Sequence, residues 1–117
     1  MVNYSVTVDI RSQREKEWVK YMLPHIQNVL DTGHFMDFRF TKLKSQRDGY
    51  ARYRVEYFCD TMHDYELYQA SDAKPLQDEH SEKFHGDFFA ARDVTVADVL
   101  NELYYGNPAR LFETTAA

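Results

Sequence analysis

Residues 2 to 10 alternate without a break: Val2, Tyr4, Val6, Val8 and Ile10 fall on one parity, and Asn3, Ser5, Thr7 and Asp9 on the other. Successive strand side chains point to opposite faces, so this segment is a strand with one apolar and one polar face. From Ser12 the period lengthens. Trp18, Val19, Met22, Leu23, Ile26, Val29 and Leu30 share one stripe at three- and four-residue spacing, the apolar side of a helix. That helix packs on the strand's apolar face.

Punctuation along the rest of the chain is equally legible. Pro24 lies inside the helical stripe, lacks an N–H and clashes with the preceding turn, so a kink or a short second helix from Pro24 is expected. Gly33 supplies the left-handed stop. Phe35 to Leu43, with Met36, Phe38 and Phe40 on one face, reads as a strand, and Ser45-Gln46-Arg47-Asp48-Gly49 as the turn of a hairpin into Tyr50–Cys59. There Ala51, Tyr53, Val55, Tyr57 and Cys59 form the apolar parity, against Tyr50, Arg52, Arg54, Glu56 and Phe58. Thr61 and Asp64 have capping-box spacing and open a helix carrying Met62, Tyr65, Leu67 and Tyr68. Ser71 to Lys74 interrupts it, Pro75 serves as the first residue of a further segment through Leu76 and His80 to Phe84, and Gly86 ends that. Phe88 to Val96 is the last strand.

The order β-α-β-β-α-β folds as two β-α-β units sharing a hairpin: a ferredoxin-like α+β domain, with a four-stranded antiparallel sheet and helices on one face. One domain over residues 1–97 is expected. Residues 98–117 form a C-terminal tail whose Leu100, Leu103, Tyr104, Tyr105, Leu111 and Phe112 are apolar enough to dock on the domain or on a partner subunit, with Gly106-Asn107-Pro108 as a turn. The second sheet face, polar on the first strand and aromatic on others, is expected to be covered by a second copy, giving a homodimer.

Acidic side chains outnumber basic ones 19 to 14, so the net field repels nucleic acid and anionic membranes. No signal-peptide pattern and no 18-residue apolar run is present, and Cys59 is the sole cysteine. A cytoplasmic location follows as the expectation.

Tyr4 to Val8, Trp18, His25-Ile26, Val29-Leu30, Thr32-Gly33 with Phe35, Tyr57-Phe58, and Glu79-His80 followed by Phe84, Gly86, Phe88 and Arg92 together resemble an uncharacterised bacterial family, domain of unknown function 4286, within the dimeric α+β-barrel proteins. The resemblance covers about residues 1–97. It implies a ferredoxin-like protomer whose sheet packs on a partner's, and brings neither substrate nor catalytic residue. The family pattern has a proline after the His-Ile pair, whereas here Pro24 precedes it.

Constellations for known chemistries are incomplete. No histidine pair has His-x-x-x-His spacing, and His80 and His85 are five apart, off a common helix face, so no metal is expected. Cys59 has no helix start or cation beside it in sequence and reads as a small buried hydrophobe. No Gly-rich phosphate loop or nucleophile elbow is present, so no cofactor is expected either. Gly49 to Tyr57 superficially suggests an RNA-binding strand. Its Tyr50 and Tyr53 are three apart, on opposite faces, and Asp48 stands where a basic residue is needed.

Two functional readings remain. The favoured one is a non-catalytic dimeric module making protein contacts through its sheet face, because no titratable pair is placed by sequence to shift each other's pKa. The alternative is a small-molecule-binding protein or cofactor-independent enzyme, oxygenase- or isomerase-like, with a pocket between sheet and helices. His25, Tyr57, His80 and Arg92 are the candidate ligand-binding residues of that pocket.

Overall fold

The protein is described by a computed structural model over residues 1–97. The chain runs β1 (Val2–Arg11), a 3-10 turn (Ser12–Arg14), α1 (Glu15–Asp31), β2 (Asp37–Leu43), β3 (Tyr50–Cys59), α2 (Met62–Ser71), α3 (Ala73–Lys83) and β4 (Phe88–Val96). The strands form one antiparallel sheet in the order β2-β3-β1-β4. In the first β-α-β unit α1 carries the chain from β1 to β2, past β3. In the second, α2 and α3 carry it from β3 to β4, past β1. This is the ferredoxin-like arrangement expected from the hydrophobic periods.

Directly opposed residues of paired strands share a face, so register decides what each face holds. Tyr4 faces Tyr57 and Val94, and Val8 faces Tyr53 and Ala90. That parity meets the helices, where Val2, Tyr4, Val8, Ile10, Val55, Tyr57 and Cys59 bury against Trp18, Met22, Ile26 and Val29 of α1, Tyr68 of α2, Ala73 of α3 and Phe84. Phe38 and Phe40 oppose Tyr57 and Val55 and therefore also lie on the helix side.

The other face is less aromatic than the sequence suggested: Tyr50 and Phe89 sit at one end and Phe58 at the other, with charge between. Arg39 clasps Glu56 through Nε at 2.8 Å and Nη2 at 3.1 Å, and Asn3 Nδ2 donates to the same carboxylate at 2.8 Å. Arg52 clasps Asp9 at 2.7 and 2.9 Å. Asp9 is only 4% exposed and Glu56 7%, although no helix covers them. Their own arginines, lying flat on the sheet, provide the shielding.

Two helix boundaries differ from the sequence reading. α1 continues through Pro24 without a break. The missing N–H strands only the Lys20 carbonyl, and both residues are exposed, so that carbonyl is open to solvent. α3 begins at Ala73, two residues before Pro75, which still lies in the first turn, where an N–H has no intrahelical partner. The capping box forms as expected: Thr61 Oγ1 accepts the Asp64 N–H and Asp64 Oδ2 accepts the Thr61 N–H, both at 3.3 Å. Among the described residues no helix is long and apolar enough to cross a membrane.

A candidate ligand pocket between helices and sheet

On the inner side of the sheet, Val6, Val8, Val55 and Ala90 are short side chains at adjoining register positions, and Val6 is opposed by Arg92 on the edge strand. Larger groups stand around them: Tyr4 and Tyr57 from the sheet, Met22 and His25 from α1, Tyr68 from α2, and Gln77 and His80 from α3. Short chains beneath long ones leave a cavity of about 50 Å³. All four residues nominated from the sequence, His25, Tyr57, His80 and Arg92, line it.

His80 is held most tightly. The Trp18 Nε1–H, which can only donate, donates to His80 Nε2 at 2.8 Å within the core. Nε2 must therefore carry a lone pair, which makes His80 a neutral imidazole with its proton on Nδ1. Burial, and then the charges of His25 and Arg92, push its pKa down to about 4. His25 stands beside it, ring centroids 6.1 Å apart. Burial lowers its pKa too, opposed by the Glu79 carboxylate.

Behind His25 lies a second polar chain. The Tyr21 hydroxyl donates to Glu79 Oε1 at 3.1 Å and lies 3.4 Å from His25 Nδ1. Its single proton goes to the carboxylate, an acceptor with no hydrogen to offer, so the hydroxyl oxygen is left to accept from His25 Nδ1–H. That network assigns His25 the Nδ1–H tautomer and leaves Nε2 as a free acceptor.

The phenols form the third group. Tyr4, Tyr57 and Tyr68 are 2%, 3% and 3% exposed, and among the described residues none of their hydroxyls has a protein hydrogen-bond partner. Nor are they sealed in: the one fully buried side-chain polar atom without a partner among the described residues is Asn3 Oδ1, on the opposite face. All three side chains line the cavity. Burial, with Tyr68 and Tyr4 nearby, holds Tyr57 well above the usual phenol range, so it remains a neutral donor. Arg92 is exposed at the edge and makes no ion pair or hydrogen bond among the described residues. Its charge is nevertheless felt by Tyr65, Tyr68 and His80.

The sequence reading did not single out Tyr4, Trp18, Tyr21, Tyr68 or Glu79 as polar participants. A weak signal existed for Tyr21 and His25, which are four apart on one helix. The Trp18–His80 bond spans 62 residues and left no local mark.

Comparison with known proteins places this geometry in context. No curated protein matches the chain. Among solved structures, a dimeric ferredoxin-like protein from an uncultured marine organism is 11% identical, covering 84% of this chain and 97% of that one, with a TM-score of 0.59. At3g17210 from Arabidopsis thaliana is 15% identical over 85% and 98% of the two chains, with a TM-score of 0.57. A hydroxynitrile lyase from Passiflora edulis is 10% identical over 84% and 96%, with a TM-score of 0.53. Identities this low speak for the fold alone. Residues 1–97 match the family described as "Domain of unknown function (DUF4286)", as the motif resemblance implied, and the chain belongs to that family.

Proposed function

We propose that this domain binds a small, negatively charged molecule in the pocket formed by His25, Tyr57, His80 and Arg92. The observation that carries this is the set of phenols Tyr4, Tyr57 and Tyr68, which line one cavity and whose hydroxyls have no protein partner among the described residues. With no protein group claiming them, these three hydroxyls are left to hydrogen-bond whatever enters the space. Arg92 gives that occupant its charge. The remaining wall, Val6, Val8, Met22, Val29 and Val55, suits an apolar remainder. At about 50 Å³ the interior holds only a few heavy atoms, since one water takes roughly 10–15 Å³ of such space. The ligand is therefore small, or enters by its polar head.

Trp18, the single tryptophan, reports on the site through its bond to His80. Acetate, pyruvate and benzoate, each against its uncharged amide, should be titrated while the indole N–H resonance is followed. Saturable shifts are expected with at least one acid, weaker with its amide and lost in Arg92→Ala. Absence of saturation with all three acids, or undiminished binding in the variant, overturns the reading.

A second reading, a homodimer through the outer sheet face, is favoured by a separate observation. Tyr50 and Phe89 pack together on that face with ring centroids 5.5 Å apart, Phe89 is 49% exposed, and a second copy laid on the sheet would cover them. The marine ferredoxin-like protein is itself described as dimeric. Light scattering after gel filtration at micromolar concentration should give about twice 13.9 kDa; a clean monomer mass refutes the dimer.

A further inference from the structure

His25 and His80 stand in one pocket with opposite hydrogen-bonding polarity. Trp18 occupies Nε2 of His80 and leaves Nδ1–H as a donor, while Tyr21 occupies Nδ1–H of His25 and leaves Nε2 as an acceptor. Glu79, exposed on α3, terminates the Tyr21 chain at the protein surface. We propose that His25 is the general base of this pocket, positioned by Tyr21 and Glu79, that His80 is its fixed hydrogen-bond donor, and that together they deprotonate a small carbonyl acid. This rests on the cavity being a binding site and specifies what the site does.

The roles follow from what each group can offer. Arg92 takes the carboxylate, and His80 Nδ1–H bonds the carbonyl oxygen. A C–H bond beside the carbonyl breaks and its proton passes to His25 Nε2. The electron pair moves into the carbonyl to form an enolate, on whose oxygen the His80 hydrogen bond strengthens. Return of the proton to the same carbon restores the carbonyl compound, so no oxidant or reductant is consumed. The imidazolium formed on His25 is balanced by Glu79 through the Tyr21 hydroxyl. Besides Tyr21 on its own helix, the titratable or charged groups around His25 are Glu79 and His80 of α3, Arg92 of β4, Tyr4 of β1, Tyr57 of β3 and Tyr68 of α2. Lys83 lies over the Tyr21 ring at 5.7 Å. Glu79 is the only carboxylate in that set, which makes it the group that favours a proton on His25.

Two measurements on the full chain test this. Nitrogen-15 spectra of the histidine rings, without ligand, should show both residues protonated on Nδ1, with His25 taking up its second proton at higher pH than His80. Tyr21→Phe should mix the His25 tautomers, and Glu79→Gln should keep the tautomer but lower the His25 midpoint. Neither should move His80 or the Trp18 indole, which report an intact fold. A wild-type His25 protonated on Nε2, or a Tyr21→Phe variant with unchanged His25 signals, overturns the positioning chain. In deuterated buffer, exchange of the pyruvate methyl protons should exceed the buffer rate and fall on the order of 100-fold in His25→Ala. No enhancement overturns the base role and leaves the pocket standing wherever one of the three acids saturates; absence of saturation with all three removes both.

Discussion

At the scale of single residues, the Trp18–His80 bond sets a condition on pH. In the folded chain His80 stays neutral down to about 4, whereas an unfolded histidine protonates near 6.5. Between those values the unfolded state binds a proton that the folded state refuses, so stability falls as pH drops from 6.5 toward 4 and is complete above that window. The loss across the window is roughly 3 kcal/mol, at about 1.4 kcal/mol per pKa unit. Asp9 and Glu56, held below the usual carboxylate range chiefly by Arg52 and Arg39, lose their contribution only at lower pH. Urea unfolding at pH 7.5, 6 and 5 should show the decline. His80→Phe removes the titrating group but strands the Trp18 N–H: it should be less stable by about 1–3 kcal/mol at pH 7.5 and should lose most of the slope. An unchanged slope in that variant refutes the assignment. The nomination of His80 came from its place in a recurring motif; its partner, 62 residues earlier, is visible only once helices pack.

At the scale of elements, local pattern predicted what forms and where the helices stop, but not that α1 runs on through Pro24. α2 shows why capping matters. Tyr68 is its only buried residue, so little tertiary burial supports it and its first turn depends on Thr61 and Asp64. Thr61→Ala should cost about 1 kcal/mol and Thr61→Ser much less; equal denaturation midpoints for both variants refute this. Gly33 ends α1 at φ +83°, and a Cβ there would meet nothing within 4 Å. Gly33→Ala should therefore cost about 1 kcal/mol of pure backbone strain, measured by the same unfolding assay. The strand parities, the capping box and the stops at Gly33 and Gly86 were legible because each is fixed by neighbours a few residues away. The continuity of α1 through Pro24 was not, because it depends on which side of the helix meets water. The outer sheet face was misjudged for a related reason. Which parity of β2 faces the helices is set by its register with β3, and register is a property of two strands.

At the scale of the whole molecule, the described residues close on themselves. β4 pairs with β1 from Phe88 opposite Ile10 to Val96 opposite Val2, and the Met1 and Ala97 backbones exchange bonds at 3.0 and 3.1 Å just beyond. Among the described residues, every member of the buried core lies between Val2 and Phe84. Residues 98–117, including the apolar positions and the Gly106-Asn107-Pro108 turn read from the sequence, lie outside the described residues. The domain boundary at 97 therefore stands as a prediction with a physical basis: a chain truncated after Ala97 keeps its sheet, its core and its pocket. It should unfold in one cooperative transition, with stability within about 1 kcal/mol of the full chain. It should also retain the Trp18 indole resonance that signals an intact His80 bond. A broadened, non-cooperative transition would show instead that the last twenty residues complete the core. Loss of the indole signal with cooperativity preserved would tie them to the pocket.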